Sequence, residues 1–221
     1  MRKRLESIAA EAVACGRKCP DVYSDLAAGV PPRCVYFDDH ERPGDRGVVI
    51  VGQNPGRAKL PERQYYLNRG ADYEVLRQYW LDFLVGDAAP VNRYYQRLRD
   101  LAGALDLDGP IWWTELAKCE TAKESREVQT QTLRVCVSAF LARELDSVPA
   151  NWPIIAASKS VFHALAFIAP KRVVIGCPHP TGALPRFSPL LKEVQAHGPA
   201  YREAKRCLES SDSAVWLRRT D

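Results

Sequence analysis

The sequence lacks any continuous apolar run of the roughly 18 residues that a membrane-spanning helix needs. It also lacks a Gly-x-Ser-x-Gly nucleophile motif, a phosphate-binding Walker loop and a zinc-deaminase signature. These absences argue against a membrane-spanning protein. They also weaken an assignment as an unrelated α/β hydrolase acting on a nucleotide-like ligand.

A convincing export signal is lacking as well, although the N-terminus imitates one. The basic start Met1–Arg4 is followed by an Ala-rich stretch, but Glu6 and Glu11 interrupt its apolar character. A secretory signal requires an uninterrupted apolar region, so we expect a cytoplasmic protein. Helical spacing of the apolar residues predicts an N-terminal helix instead; these residues are Leu5, Ile8, Ala9, Ala12 and Val13.

Charge, length and cysteine content limit the possible classes of protein but do not identify one. Lys plus Arg exceed Asp plus Glu by 31 to 27, a mild excess that permits a polyanionic partner but does not require one. The length of 221 residues with 46% hydrophobic content fits one domain over residues 1–221. Seven cysteines without an export signal do not favour a disulfide framework, so they are buried apolar residues or metal ligands.

Short apolar β-branched runs alternate with helical patterns along the chain. This alternation predicts a three-layer α/β/α sandwich with a central, mainly parallel sheet of about four strands. Residues 57–75 are polar and aromatic, and we predict a surface loop there. Strands are predicted at about 48–51, 110–116, 153–157 and 172–176, and helices at about 74–84, 92–105, 133–149, 161–168 and 186–208, the last with a break near Gly198.

Two of the predicted strands end in Gly/Pro turns that carry a chemically able side chain. The first is followed by Gly52-Gln53-Asn54-Pro55-Gly56, and the fourth by a turn containing His179-Pro180-Thr181. Taken singly, such sequences are more typical of plain turns. Ligands of open α/β sheets bind beyond the carboxyl ends of the strands, so we predict that Asn54 and His179 face one cavity.

These two turns resemble the signature motifs of the uracil-DNA glycosylase superfamily. The first motif of that family is a strand ending in Gly-x-(Asn, Asp or Ala)-Pro-(Gly or Tyr), and the second is His-Pro-(Ser or Thr). Thr114–Cys119 resembles the Thr-Asn-hydrophobic-hydrophobic-Lys-Cys segment of the iron–sulfur branch. The resemblance covers most of residues 5–208. It implies a monofunctional, monomeric DNA glycosylase of base excision repair, acting on uracil or a related deaminated base in DNA.

The resemblance also implies roles for individual residues once the base has been flipped into a pocket. Asn54 would hold a water by its amide carbonyl, and a neutral His179 would donate a hydrogen bond to the oxyanion of the departing base. The backbone N–H of Gln53 would assist. Tyr66 would stack on the base, although Tyr65 is an equally good choice and one of the two is expected in the core.

Contacts to the DNA strand are implied around the same turns. Arg57, Lys59 and Arg186 would hold phosphates, Thr181 belongs to the second motif, and Leu184 lies where the family inserts an apolar wedge. Solvated surface charge explains the basic residues nearly as well.

Glu115 departs from the family pattern, because it stands where an Asn usually recognises uracil. An Asn amide both donates and accepts hydrogen bonds, whereas an ionised Glu only accepts them. Three explanations remain open. Glu115 is protonated in a dry pocket, or another group recognises the base, or the substrate presents a donor edge.

The resemblance to the iron–sulfur branch further implies a 4Fe–4S cluster held by Cys15, Cys19, Cys119 and Cys136. Three residues separate Cys15 from Cys19 where the family has two, so Cys34 is an alternative to either. Cys177 and Cys207 are expected to be buried non-ligands. The competing functional hypothesis is a catalytically weak nucleic-acid-binding iron–sulfur protein of the same fold, which Glu115 favours.

Overall fold

The structure is a computed structural model that describes residues 1–33, 35–39, 42–85, 92–122, 128–182, 186–210 and 214–219. Two residues singled out from the sequence, Cys34 and Leu184, lie outside this described part. Within it, no helix combines the length and apolar character needed to cross a membrane.

The fold is of the α/β class, with a mainly parallel central sheet that is consistent with an α/β/α sandwich. The strands are β2 (Tyr36–Asp38), β3 (Val48–Gly52), β4 (Ile111–Glu115), β6 (Ile154–Ala156), β7 (Val174–Gly176) and β8 (Ala214–Trp216). The six stand in the order β2-β4-β3-β6-β7-β8. The prediction of about four strands missed β2 and β8, because neither contains a run of β-branched residues such as those in β3, β6 and β7.

The helices match the predicted pattern except at residues 57–75. That segment was predicted to be a loop, and the prediction was wrong, because it holds α2 and the start of α3. Helix α2 buries Tyr66 and exposes Leu60 and Leu67, so its apolar residues do not mark one face. The helices are α1 (Arg2–Val13), α2 (Leu60–Arg69), α3 (Tyr73–Trp80), α4 (Arg93–Ala104), α5 (Thr130–Cys136), α6 (Ala142–Ser147), α7 (Lys159–Ile168), α8 (Phe187–Gln195) and α9 (Pro199–Glu209).

Two helices run on into π-helical turns. One follows α3 at Leu81–Val85, and the other, Val137–Leu141, joins α5 to α6. The predicted helix from Leu133 is therefore present, with a wider turn in its middle. The predicted break near Gly198 is also present, since α8 ends at Gln195 and α9 begins at Pro199.

The chain divides into two compact units, which we call unit one and unit two. Unit one comprises residues 1–37, 54–90 and 114–148. In it, α1 packs against α3 and α6. A separate antiparallel ribbon pairs β1 (Val22–Tyr23) with β5 (Glu120–Thr121). This ribbon joins segments that are far apart in sequence.

Unit two comprises residues 38–53, 91–113 and 149–221. In it, β3, β6, β7 and β8 are paired in parallel, and Val51, Ala156 and Gly176 lie side by side in register. Helix α7 packs on β6 and β7, and α9 packs on β7 and β8. Gly176 is required for this packing, since a Cβ there would lie 2.5 Å from Trp216 and 2.6 Å from Phe162.

Candidate functional site

Asn54 is held in unit one by its amide nitrogen. Its Nδ2 donates to Thr121 Oγ1 at 2.9 Å, to Pro55 O at 3.1 Å and, at the limit of hydrogen bonding, to Cys119 O at 3.5 Å. Two of these acceptors are backbone carbonyls, so the nitrogen and oxygen of the amide cannot be exchanged. The amide carbonyl oxygen therefore remains as the group that can accept a hydrogen bond from a water molecule.

The loop that carries Asn54 is anchored by a buried ion pair. Arg33 is 3% exposed and its guanidinium lies 3.0 Å from the Glu120 carboxylate. The same guanidinium donates to Gly56 O, and Glu120 accepts the Ala58 N–H at 2.8 Å. Arg33 thus binds a backbone carbonyl oxygen of the loop, and Glu120 binds one of its backbone N–H groups. Such an anchor limits the motion of Asn54.

Glu115 ends β4 and is enclosed in unit one. The residue is 6% exposed, and its Oε2 has no hydrogen-bond partner among the described residues. Burial raises the pKa of this carboxyl to about 8, although Lys118 and Arg33 act in the opposite direction. At neutral pH the side chain is therefore mostly the uncharged acid, which can both donate and accept a hydrogen bond.

Tyr66 and Tyr65 lie in an aromatic cluster of unit one. Tyr66 is 1% exposed, and its ring meets those of Tyr65 and Tyr79 edge to face at centroid distances of 6.0 Å and 5.3 Å. Tyr65 is half-buried and lies beneath the Arg69 guanidinium at 4.3 Å. The expected core tyrosine is thus Tyr66. Stacking of either ring on a base stays a prediction.

Four cysteines line one cavity of unit one. They are Cys15, Cys19, Cys119 and Cys136, and the wall also includes the apolar side chains of Val22, Val135 and Phe140. The secondary structure explains how they meet. Cys15 follows α1, Cys136 ends α5, and the β1–β5 ribbon holds the segment after Cys19 beside the segment after Cys119.

The four thiols also act on one another. Burial is the main cause that raises the pKa values of Cys19, Cys119 and Cys136, and the nearby thiols raise them further. A raised pKa means that the thiolate form is disfavoured, and a bound metal centre would compensate for this by taking the thiolates as ligands. The Lys118 N–H already donates to Cys136 Sγ at 3.4 Å, the kind of hydrogen bond that tunes cluster ligands.

Among the described residues, no three His, Cys, Asp or Glu side chains are grouped closely enough to hold one ion. A 4Fe–4S cluster makes a different demand, because each of its four cysteines binds a different iron atom and the sulfurs surround a body rather than a point. Four cysteines around one apolar-walled cavity fit that demand.

In unit two, three neighbouring parallel strands end at the same edge of the sheet. Gln53 follows β3, Ser158 follows β6, and His179 lies three residues beyond β7. The Gln53 side chain accepts a hydrogen bond from Ser160 Oγ at 3.1 Å, which ties it to the start of α7. Gln53 and His179 thus occupy the edge where ligands of α/β sheets bind.

The His179 ring is fixed in one tautomer by its own loop. The Thr181 N–H donates to Nδ1 at 3.3 Å, so Nδ1 is the acceptor nitrogen and the neutral ring carries its proton on Nε2. The residue is exposed as a whole, yet its ring lies 5.6 Å from the Tyr94 ring and is partly shielded. This desolvation lowers the pKa of His179, so at neutral pH the ring offers an uncharged N–H donor.

The residues predicted to contact DNA are at the surface where they are described. Arg57 and Lys59 are exposed in the loop before α2, Thr181 is exposed beside His179, and Arg186 is exposed at the start of α8. Asn54 belongs to unit one and His179 to unit two. Their convergence on one cavity stays a prediction.

Several residues that support Asn54 and His179 were not predicted from the sequence. Thr121 orients Asn54, Arg33 and Glu120 anchor its loop, and Arg97 donates to Pro180 O beside His179. Each acts across 23 or more residues of sequence. Nothing in a local motif marks such partners. Comparison with known proteins adds no relative, because neither the family models nor the curated proteins searched match this chain.

Proposed function

We propose that this protein is a DNA glycosylase that hydrolyses the N-glycosidic bond of uracil or a related deaminated base in DNA. The observation that carries this proposal is the state of His179, a neutral ring whose Nε2–H is its donor. A departing pyrimidine develops negative charge on its carbonyl oxygen, and a fixed uncharged donor stabilises that charge. The other neutral tautomer would have no donor at Nε2.

Asn54 supplies the second function in the proposed reaction. Its carbonyl oxygen accepts a hydrogen bond from a water and holds it at the sugar carbon, where positive charge develops as the base departs. The amide cannot remove a proton as a carboxylate would, so its contribution is positioning. The anchored loop supports this role, because a misplaced water loses much of the advantage of being bound.

A 4Fe–4S cluster held by Cys15, Cys19, Cys119 and Cys136 belongs to the proposal. When bound, it would tie these four thiolates together and exclude solvent from the cavity. Around it, α1 packs through Ile8 and Ala12 against Phe140. The protein residues therefore already join the N-terminal helix to the segment that carries Cys136.

The proposal is tested with an oligonucleotide that carries a single uracil, followed by hot alkali, which breaks the strand at an abasic site. We expect cleavage by the native protein, and a loss of about 10²-fold in Asn54→Ala because the water is no longer held in position. Asn68→Ala is the matched control, since Asn68 is exposed on α2. Binding without cleavage on uracil, hypoxanthine and xanthine substrates would instead support the weakly catalytic alternative.

The cluster makes a separate prediction. Purified without oxygen, the protein should be brown and contain about four iron atoms per chain. Cys119→Ser should lose most of that iron, since it removes one of four thiolates. Cys177→Ser is the matched control, because Cys177 is buried in unit two and its Sγ donates a hydrogen bond to Ala156 O at 3.5 Å, away from the four-cysteine cavity. Equal iron content in the two variants would exclude the assigned ligand set.

A further inference from the structure

The turn that carries His179 has little burial of its own to hold it. His179, Thr181 and Gly182 are exposed, and Pro180 between them is buried. The Gly182 N–H donates to His179 O at 3.2 Å, which closes a β-turn with Pro180 in its second position. An imidazole that stabilises a developing oxyanion has to be fixed in direction. A neighbouring element of the fold therefore has to restrain this turn.

Helix α4 contacts the turn and is itself firmly seated in unit two. It begins where Asn92 Oδ1 accepts the Tyr94 N–H at 3.1 Å. Its inner face buries Tyr95 and Leu98, and the Tyr95 ring meets the Trp113 ring edge to face at a centroid distance of 5.0 Å. These contacts make α4 a rigid support from which other side chains can reach the turn.

Arg97 of α4 binds the turn through its backbone. Its Nη1 donates to Pro180 O. The turn's own hydrogen bond joins Gly182 to His179, so it does not use this carbonyl oxygen. Because the guanidinium donor is charged, its bond is stronger than one between two neutral groups. Arg97 therefore fixes the peptide group that directly follows Pro180.

The same peptide group holds the imidazole. Pro180 O and the Thr181 N–H belong to one planar unit, and that N–H donates to His179 Nδ1 at 3.3 Å. A charged donor on the oxygen fixes the plane of the unit. It also polarises the unit, which strengthens the N–H as a donor. The direction of the Nε2–H of His179 thus depends on Arg97, although the two side chains are joined only through the backbone.

Tyr94 packs against the same imidazole. It precedes Arg97 by three residues, so the two side chains share one face of α4. Tyr94 is half-buried, and its ring lies 5.6 Å from the His179 ring with the two planes inclined by 44°. This contact limits rotation of the imidazole and keeps water from one of its sides. The desolvation that lowers the pKa of His179 agrees with it.

We infer that α4 positions His179 through two side chains, with Arg97 orienting the Pro180–Thr181 peptide group and Tyr94 packing against the imidazole. Neither is a catalytic residue, because each acts through His179. The effect on catalysis rests on the proposed glycosylase function. Without Arg97 the peptide group is free to turn away from Nδ1. The imidazole proton can then move to Nδ1, and Nε2 loses its donor.

The test of Arg97 is the tautomer of His179, read from ¹⁵N NMR of the imidazole without DNA. The native protein should show the proton on Nε2, and Arg97→Met a mixture of both tautomers. Arg97→Lys keeps a charged donor and should stay close to the native protein. Arg93→Met is the matched control, since Arg93 is exposed on the same helix.

Kinetics separate this role from a contact to DNA. Arg97→Met should lower kcat for uracil excision by about 10-fold, because a misdirected donor loses part of its advantage. KM should change by less than about twofold, because Arg97 binds the protein backbone. A higher KM with an unchanged kcat would make Arg97 a DNA contact and overturn the inference for this residue.

The test of Tyr94 is an NMR titration of His179. Tyr94→Ala should raise the pKa of His179 toward its ordinary value near 6.5, because the shielding ring is removed. The acidic limb of the excision profile should move to higher pH with it. Tyr94→Phe keeps the ring and should titrate as the native protein does, and Arg97, the charged group that α4 directs to this turn, is retained in both variants. Tyr201→Ala is the matched control, since the Tyr201 ring stacks on a different histidine, His197, at 4.3 Å.

The imidazole signals and the excision rates distinguish the inference from the function on which it rests. One tautomer in Arg97→Met and an unchanged pKa in Tyr94→Ala would overturn positioning by α4 and leave the glycosylase function standing. The expected imidazole signals in a native protein that excises no base would overturn the function and leave the positioning of the ring in place. Changes in both the signals and the rates support both.

Discussion

Replacing His179 with Ala should lower the rate of uracil excision by about 10²–10³-fold, the usual cost of removing one fixed donor to a developing oxyanion. The physical reason is the tautomer. Because the Thr181 N–H donates to Nδ1, the proton of the neutral ring is on Nε2. Alanine retains no donor at this position. Single-turnover rates on a uracil oligonucleotide measure the effect.

His163→Ala is the control for this variant, because His163 is an exposed histidine on α7 of the same unit. The pH profile gives a second signature. Desolvation lowers the pKa of His179, so the ring stays neutral at pH 7 and is protonated only as pH falls further. The added proton would oppose the Thr181 N–H, so activity should fall on the acidic side. An unchanged rate in His179→Ala would remove this residue from the mechanism.

The strands that consist of β-branched runs were predictable from the sequence. Val48–Val51 and Ile154–Ile155 are continuous β-branched runs that suit strands buried on both faces, and both are strands in the structure. Helix α2 was not predictable in the same way. Tyr66 is its buried residue, while Leu60 and Leu67 point to solvent, so its apolar residues give no helical period. Tertiary packing determines that this segment is helical, and a local sequence pattern carries no information about that packing.

The candidate functional site likewise contains residues that a local sequence signal identifies and residues that only the folded structure identifies. Motif residues such as Asn54 and His179 could be named from the sequence because a strand end followed by a Gly/Pro turn is a local signal. Their partners could not, since Thr121 and Arg33 reach the Asn54 loop only after the chain has folded. The sequence left the protonation of Glu115 open for this reason. Its state depends on which neighbours are already occupied, and that is a property of the packed unit.

The same packing creates a buried ion pair beside Glu115. Lys118 and Glu144 are 1% and 0% exposed in their side chains and lie 3.0 Å apart. Thr114 also contacts both charged groups. A buried pair of this kind need not stabilise the fold relative to apolar residues, because both ions have lost their hydration. Breaking it is a different matter, since one charge is then left without compensation.

Lys118→Met should therefore lower the free energy of unfolding by roughly 3–5 kcal/mol, because Glu144 stays buried without its cation. Urea unfolding measures this, with preparations compared at equal iron content. Adding Glu144→Leu to Lys118→Met should restore most of the loss, since the pair is then replaced by apolar side chains.

Arg143→Met is the matched control. It breaks the Arg143–Glu11 pair of the same unit, whose side chains are 44% and 49% exposed, and should change stability little. If Lys118→Met cost no more than this exposed control, the Lys118–Glu144 pair would not be the buried charge pair argued here, and the cost of leaving its carboxylate without the cation would be refuted.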